Sequence, residues 1–434
     1  MTSKLATQNL KLPIIPDVDI FELLLLISLF AVPFFYPSFH LGLAQVRITD
    51  MATLFIAIGF IIRAAKKELQ LKLTTIDLVF LALICWSALG LTKSVDLKYS
   101  LRDFFWLVDS ALLLYMVEHA GLNKEQIYRL FRAGCYGAVI IGLLAVLQYY
   151  ATGERAYVNL RNANHLAGYL IFYLPILIGF KYGKKLDQRY FWGILATIVS
   201  TALVVTYTRG GWYAAVIALS VMALIKDKKL LIFIVTYILI YSWIFTPVMN
   251  RAVSVVNEAE TSNGQYRIQL WLTALRMFHD NPVTGVGIGN YYTLHDEYLA
   301  RYPYLDRGHE ARQPHNSYVK WLAETGIIGF GLIITVLMLI ARNAFTFWRR
   351  TRGDPENALI ISFICGAGAV MIHSATNSLF HLPRGIFGVW IAAGLVLQLA
   401  RCFDTTTEFE NVNNKTKSIT FMKDRVLGNS SGNI

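Results

Sequence analysis

Apolar residues in this chain gather into long blocks separated by short polar islands. Twelve can be marked, near residues 20–39, 48–62, 76–92, 101–117, 130–150, 165–180, 190–207, 211–225, 230–248, 316–341, 357–379 and 385–401. About 20 apolar residues in a helix cross the ~30 Å hydrocarbon layer of a bilayer. The pattern therefore predicts an all-α polytopic membrane protein of about twelve transmembrane helices, packed as a single domain over residues 1–403. Residues 404–434 read "TTTEFENVNNKTKS" and "GNSSGNI" and are expected to be a disordered tail. The first block is expected to be a retained helix, because no small-residue cleavage site follows it.

Basic residues set a direction on this plan. With the N-terminus cytoplasmic, most Lys and Arg fall in cytoplasmic connections, among them Arg63, Lys66 and Lys67, Lys184 and Lys185, and Arg349 and Arg350. Short loops obey this bias, and a long loop is exempt. The one long loop, residues 249–314, then lies outside, together with Arg209 and Arg384. Within it "QYRIQLWLTALRMFHD" spaces Ile268, Trp271, Leu275 and Phe278 as the apolar face of an amphipathic helix, which Asn281-Pro282 ends. The following "GVGIGNYYTLHDEYLARYPYL" brings three alternating glycines and a group of tyrosines whose flat faces suit sugar rings.

Composition agrees with the pattern. Hydrophobic residues make up 55% and charged residues only 16%, against roughly 45–50% and 25% in soluble domains. A soluble enzyme, a disordered chain and a disulfide scaffold are excluded, and no nucleic-acid partner is expected. Cys85, Cys135, Cys365 and Cys402 lie in or beside apolar blocks without a CxxC pair, so neither a disulfide framework nor a zinc site is implied.

Candidate chemistry sits on the outer side. Arg209, in "TRGGW" after an apolar block, needs a partner at that depth, and a phosphate would be one. Arg267 stands in "RIQLW", and Arg312 stands three residues before His315 in "PHNSYVKWLAETGIIG". An imidazole suits a general base at neutral pH. Glu324, four residues after Lys320, reads as an intrahelical ion pair, and "GVGIGN" without a preceding strand reads as a turn rather than a phosphate nest. "NLRNANHLAG" crowds Asn164 and His165 at the start of a block, where capping is the simpler reading. His373 and Asn377, one turn apart, are expected to pair. Asn316, Trp271, Asn164, His165 and Tyr291 are candidates to line a substrate. The outer loops hold neither DxD nor HExxH, so no metal or other cofactor is expected.

"TRGGW", then "RIQLW" with "NPVTGVGIGN", then "HNSYVKWLAETGIIG", in that order across residues 160–335, resemble the O-antigen ligase and O-antigen polymerase family of bacterial envelope glycosyltransferases. The resemblance implies a C-type glycosyltransferase fold in the inner membrane with its active site facing the periplasm. It implies a glycan taken from undecaprenyl diphosphate and passed to a hydroxyl of lipid A core oligosaccharide by a ligase, or to another lipid-linked repeat unit by a polymerase. It assigns His315 as base and Arg209, Arg267 and Arg312 as diphosphate ligands, with Arg307 close enough to compete for the last role. Some members carry an acidic residue where Asn377 stands here. A transporter or lipid flippase also fits twelve spans, but such folds show paired halves that are not visible in this sequence.

Overall fold

The protein is described here by a computed structural model covering residues 18–403, except 35–37, 42–43, 67–68, 70, 161, 183–185, 245–261, 309–311, 355 and 382–385. The tail from 404, Arg161 and Arg384 lie outside the described residues. Among the described residues the regular structure is helical, apart from a short antiparallel hairpin that the hydropathy pattern did not anticipate: β1 (Ser38–Leu41) pairs with β2 (Ala44–Arg47), with Ser38 opposite Arg47.

Twelve helices answer to the twelve apolar blocks: α1 (Ile20–Ala31), α2 (Ile48–Ala65), α3 (Thr75–Gly90), α4 (Leu97–Glu118), α5 (Lys124–Thr152), α6 (Ala163–Lys181), α7 (Leu186–Val205), α8 (Arg209–Lys226), α9 (Lys229–Ile244), α12 (Ser317–Arg350), α13 (Glu356–Ser374) and α14 (Ile386–Phe403). Two more, α10 (Ser262–Asp280) and α11 (Tyr291–Arg301), occupy the long loop. Among the described residues nine helices are long and apolar enough to cross a membrane. The other three of the twelve fall short for visible reasons. α1 and the apolar part of α9 are brief, and α4 carries Arg102, Asp103 and Asp109 along its length.

Burial follows composition. α6, "ANHLAGYLIFYLPILIGFK", is apolar all round, and it is the most deeply enclosed of these helices, packed against α7, α8 and α13. α2 and α3 leave residues such as Leu54, Ile61, Leu78 and Leu89 exposed, as side chains facing lipid must be.

The connections segregate to two ends of the bundle. At one end Asn159 Nδ2 donates to the Phe34 carbonyl (2.7 Å), Ala156 N to the Val205 carbonyl (3.0 Å) and Ser317 Oγ to the Asn377 carbonyl (3.1 Å). At the other, Arg63 Nη1 donates to the Ala120 carbonyl (2.6 Å), Gln398 Nε2 to the Leu122 carbonyl (3.0 Å), and Lys124 pairs with Glu356. The first end carries the long loop and is called the loop face below.

α10 exists where the periodicity places it, but a different face is buried. Leu270, Thr273, Ala274 and Met277 are enclosed, while Leu275 is exposed. The face that docks beside α12 mixes small side chains, Thr273 and Ala274, with the larger Leu270 and Met277.

Candidate functional site

Two pieces of the loop face are built by glycine. α12 is broken at Gly326, whose φ is 65°. The break frees the carbonyls of Ala323 and Glu324, and the 285–287 strand of backbone captures them. Val286 N donates to Ala323 O and Gly287 N to Glu324 O, both at 2.9 Å, while Ile327 N donates to Pro282 O at 2.9 Å. A Cβ on Gly285 would stand 2.4 Å from the Glu324 carbonyl carbon, so only glycine passes there. Asn290 ties the same strap to the α3–α4 connection, donating to Lys93 O (2.8 Å) and accepting from Val95 N (3.1 Å). "NPVTGVGIGN" is thus a brace on α12, in line with the turn reading.

The second piece is the first turn of α8. Tyr207 takes a positive φ of 51° and leads into Thr208 and Arg209. A Cβ on Gly211 would lie 2.9 Å from Ala167 of α6, and one on Gly210 would lie 2.6 Å from Thr376 Oγ1 and 3.0 Å from His373 Nδ1. The double glycine therefore admits neighbouring side chains, and Arg209 is held half-buried where α6, α8 and α13 meet. A cation at a helix N-terminus opposes the helix dipole. With no side-chain cap on this turn, the position favours an anion.

His315 stands between Pro314 and the N-cap of α12 with φ 44°. Val158, Tyr207 and His315 are the non-glycine residues with positive φ among the described residues, and all three lie on the loop face. Such conformations cost about 1–3 kcal/mol each and cluster at functional sites. The His315 ring meets the Tyr266 ring edge-on at 5.8 Å. Burial first, and then the charge of Arg267, push the imidazole below its ordinary pKa, so it is neutral and able to accept a proton at neutral pH. The same Arg267 is near enough for its charge to be felt at His373, as is His165. His373 Nε2 contacts the Asn164 carbonyl (3.1 Å), and its ring lies 3.3 Å from Asn377 Nδ2, the pair expected from spacing. Arg267, His315, His373, Asn164, His165 and the Arg209 turn are thus brought to one place.

Other expected site residues have different work. Trp271 donates its indole N–H to the Pro314 carbonyl (2.8 Å), buttressing the segment that holds His315. Asn316 caps α12, accepting from Tyr318 N at 3.0 Å. Tyr291 is fully buried in the loop's own core, with its hydroxyl on the Leu270 carbonyl (2.8 Å), and cannot line a substrate. Arg312 is exposed, paired with Asp296 at 2.6 Å and stacked over Tyr292. Arg307 is tied to α10 through Gln265 and Gln269. Glu324 does pair with Lys320 (3.6 Å), although Lys320 makes its shorter contact, 2.6 Å, to Asp103 of α4.

One residue escaped the sequence reading. Arg155 donates through Nε to Thr206 O (2.9 Å) and through Nη2 to Thr208 Oγ1 (3.3 Å), directly against the Arg209 turn. Its only trace in sequence is an arginine in a polar loop. No metal-spaced group of His, Cys, Asp or Glu occurs among the described residues of this face.

Residues 194–334 match a family model described as O-antigen ligase, a stretch that includes Arg209, Arg267, Arg312 and His315. The chain is also similar to the O-antigen ligase of Salmonella typhimurium strain LT2, with 22% identity over 311 residues, covering 68% of this chain and 74% of that protein.

Proposed function

We propose that the chain is a member of the O-antigen ligase and polymerase family, supported by the matched stretch and the similar O-antigen ligase, and that it is an O-antigen ligase of the bacterial inner membrane with a C-type glycosyltransferase fold. It takes a glycan from undecaprenyl diphosphate and passes it to a hydroxyl of lipid A core oligosaccharide on the periplasmic side. The observation that carries the reading is the convergence of a half-buried Arg209 turn, Arg267 and a strained, neutral His315 on one face.

The chemistry follows from those groups. The acceptor oxygen attacks the anomeric carbon, the bond from that carbon to the diphosphate oxygen breaks, and His315 takes the hydroxyl proton. General-base help of this kind is worth roughly 100- to 10,000-fold. Arg209 and Arg267 meet the charge growing on the leaving diphosphate by preorganised donors, each worth about 3–4 kcal/mol. Arg312 joins them by exchanging Asp296 for the diphosphate. Charge is met by guanidinium, so no metal enters the step, and attack opposite the leaving group inverts the anomeric centre. The ligase reading over the polymerase one is supported by the single helix-rich loop and by the relative's name.

Purified transfer from undecaprenyl-diphosphate glycan tests the roles: His315→Ala and Arg209→Ala should each lose at least about 100-fold in turnover. Near-normal turnover in either would refute the assignment. Deleting the gene distinguishes acceptors, since core without polymer means ligase and core bearing one repeat unit means polymerase.

A further inference from the structure

The end of the bundle away from His315 holds a second cluster that the proposed transfer does not use. Asp77, Glu118 and His119 offer ligand atoms all within 4.8 Å of one another, the one such group among the described residues. Their side chains are 7%, 3% and 0% exposed. Local structure assembles them. Asp77 belongs to the capping box that starts α3, bonded to Thr74 N and Oγ1 at 2.7 Å, while Glu118 and His119 end α4.

Two features of the cluster ask for a cation. His119 Nδ1 lies 2.9 Å from the Tyr115 carbonyl and Nε2 lies 2.6 Å from the Lys72 carbonyl. A neutral imidazole carries one N–H, so one nitrogen faces an oxygen lone pair with its own. Glu118 gives one oxygen to Arg401, and its Oε2 is buried with no hydrogen-bond partner. The negative end of the α4 dipole adds to the two carboxylates at the same spot.

We propose that the junction of α3 and α4 binds one divalent ion, Zn²⁺ or Mn²⁺, through Asp77, Glu118 and His119 Nε2, with the Lys72 carbonyl as a further ligand. His119 then donates Nδ1–H to Tyr115 O, the backbone contact that fixes the tautomer of a metal-bound histidine. Carboxylate, imidazole and carbonyl donors together suit these ions. Side-chain rotation brings the donors to about 2.1 Å from the ion. The ion pins the 71–74 segment and α3 to the end of α4 and, through Glu118 and Arg401, to α14. This inference is independent of the transfer reading, because it concerns the opposite face.

The test uses full-length protein purified in detergent without a nickel step, stripped with chelator, and titrated separately with Zn²⁺ and Mn²⁺. Elemental mass spectrometry reads bound metal, and tryptophan fluorescence reads thermal unfolding. Wild-type protein should retain about one ion per chain of at least one metal and unfold at higher temperature with it. Glu118→Gln and His119→Gln should lose both effects. Failure of wild-type protein to retain either ion, with unchanged unfolding, overturns the site. Equal retention by folded Glu118→Gln overturns it as well. If the variants do not fold, the wild-type arms decide alone.

Discussion

At His315 the backbone holds a left-handed φ of 44° while Trp271 grips the preceding carbonyl and Arg267 lowers the affinity of the ring for a proton. Each restraint makes a separate prediction. Arg267→Gln removes a charge that depresses the His315 pKa, so the imidazole should move back up toward its ordinary ~6.5. A base is active when deprotonated, so the acid limb of the kcat/KM profile should shift to higher pH in this variant, alongside the loss of diphosphate affinity. A limb that stays put means that His315 is not the group being titrated. Trp271→Phe keeps the ring and loses the bond to Pro314 O, a loss of about 1 kcal/mol. Turnover should fall with little change in KM, because the proposed base is loosened and the proposed diphosphate ligands are untouched. The sequence singled out Arg209, Arg267 and His315 as candidates because each sits in a local motif. It left Arg155 and the His373–Gly210 contact unreadable, because these join residues far apart in the chain and leave no local pattern.

Among the elements, α12 is the one whose regularity is deliberately interrupted. Gly326 carries φ 65°, and a Cβ there would stand 2.2 Å from Val283 O. Gly326→Ala should therefore cost about 3 kcal/mol or more, combining a strained backbone with overpacking. Gly331, five residues on in the same helix, has open space around its Cβ position. Gly331→Ala should be neutral or stabilising by up to about 1 kcal/mol. Thermal unfolding of the two variants checks the contrast, and equal stability would mean that the strap does not depend on the break. Hydropathy made the helices legible because burial in lipid demands long apolar runs. It did not show the break, since Thr325-Gly326 interrupts neither the apolar character nor the length of the block. In α10 the face packed in the protein is Leu270, Thr273, Ala274 and Met277, beside the half-buried Ile268, Trp271 and Phe278.

For the whole molecule, alternation of the connections between two ends follows from the helix count, and the hydrogen bonds at each end agree with it. Which end meets the periplasm is a matter of charge. Cytoplasmic placement of the Arg63, Lys228 and Arg350 end is the orientation we propose: the basic bias of its short loops favours it, and the proposed transfer on the outer surface requires it. In a variant with Cys85, Cys135, Cys365 and Cys402 replaced, a single cysteine at Tyr304, which is 68% exposed on the loop face, should react with a membrane-impermeant maleimide once the outer membrane is permeabilised. A single cysteine at Lys228, exposed at the other end, should react only after the inner membrane is opened. The reverse pattern would put Arg209, Arg267 and His315 in the cytoplasm, where no lipid A core acceptor from the periplasmic surface could reach them. The transfer reading would then fail even if every side-chain contact at the site were correct.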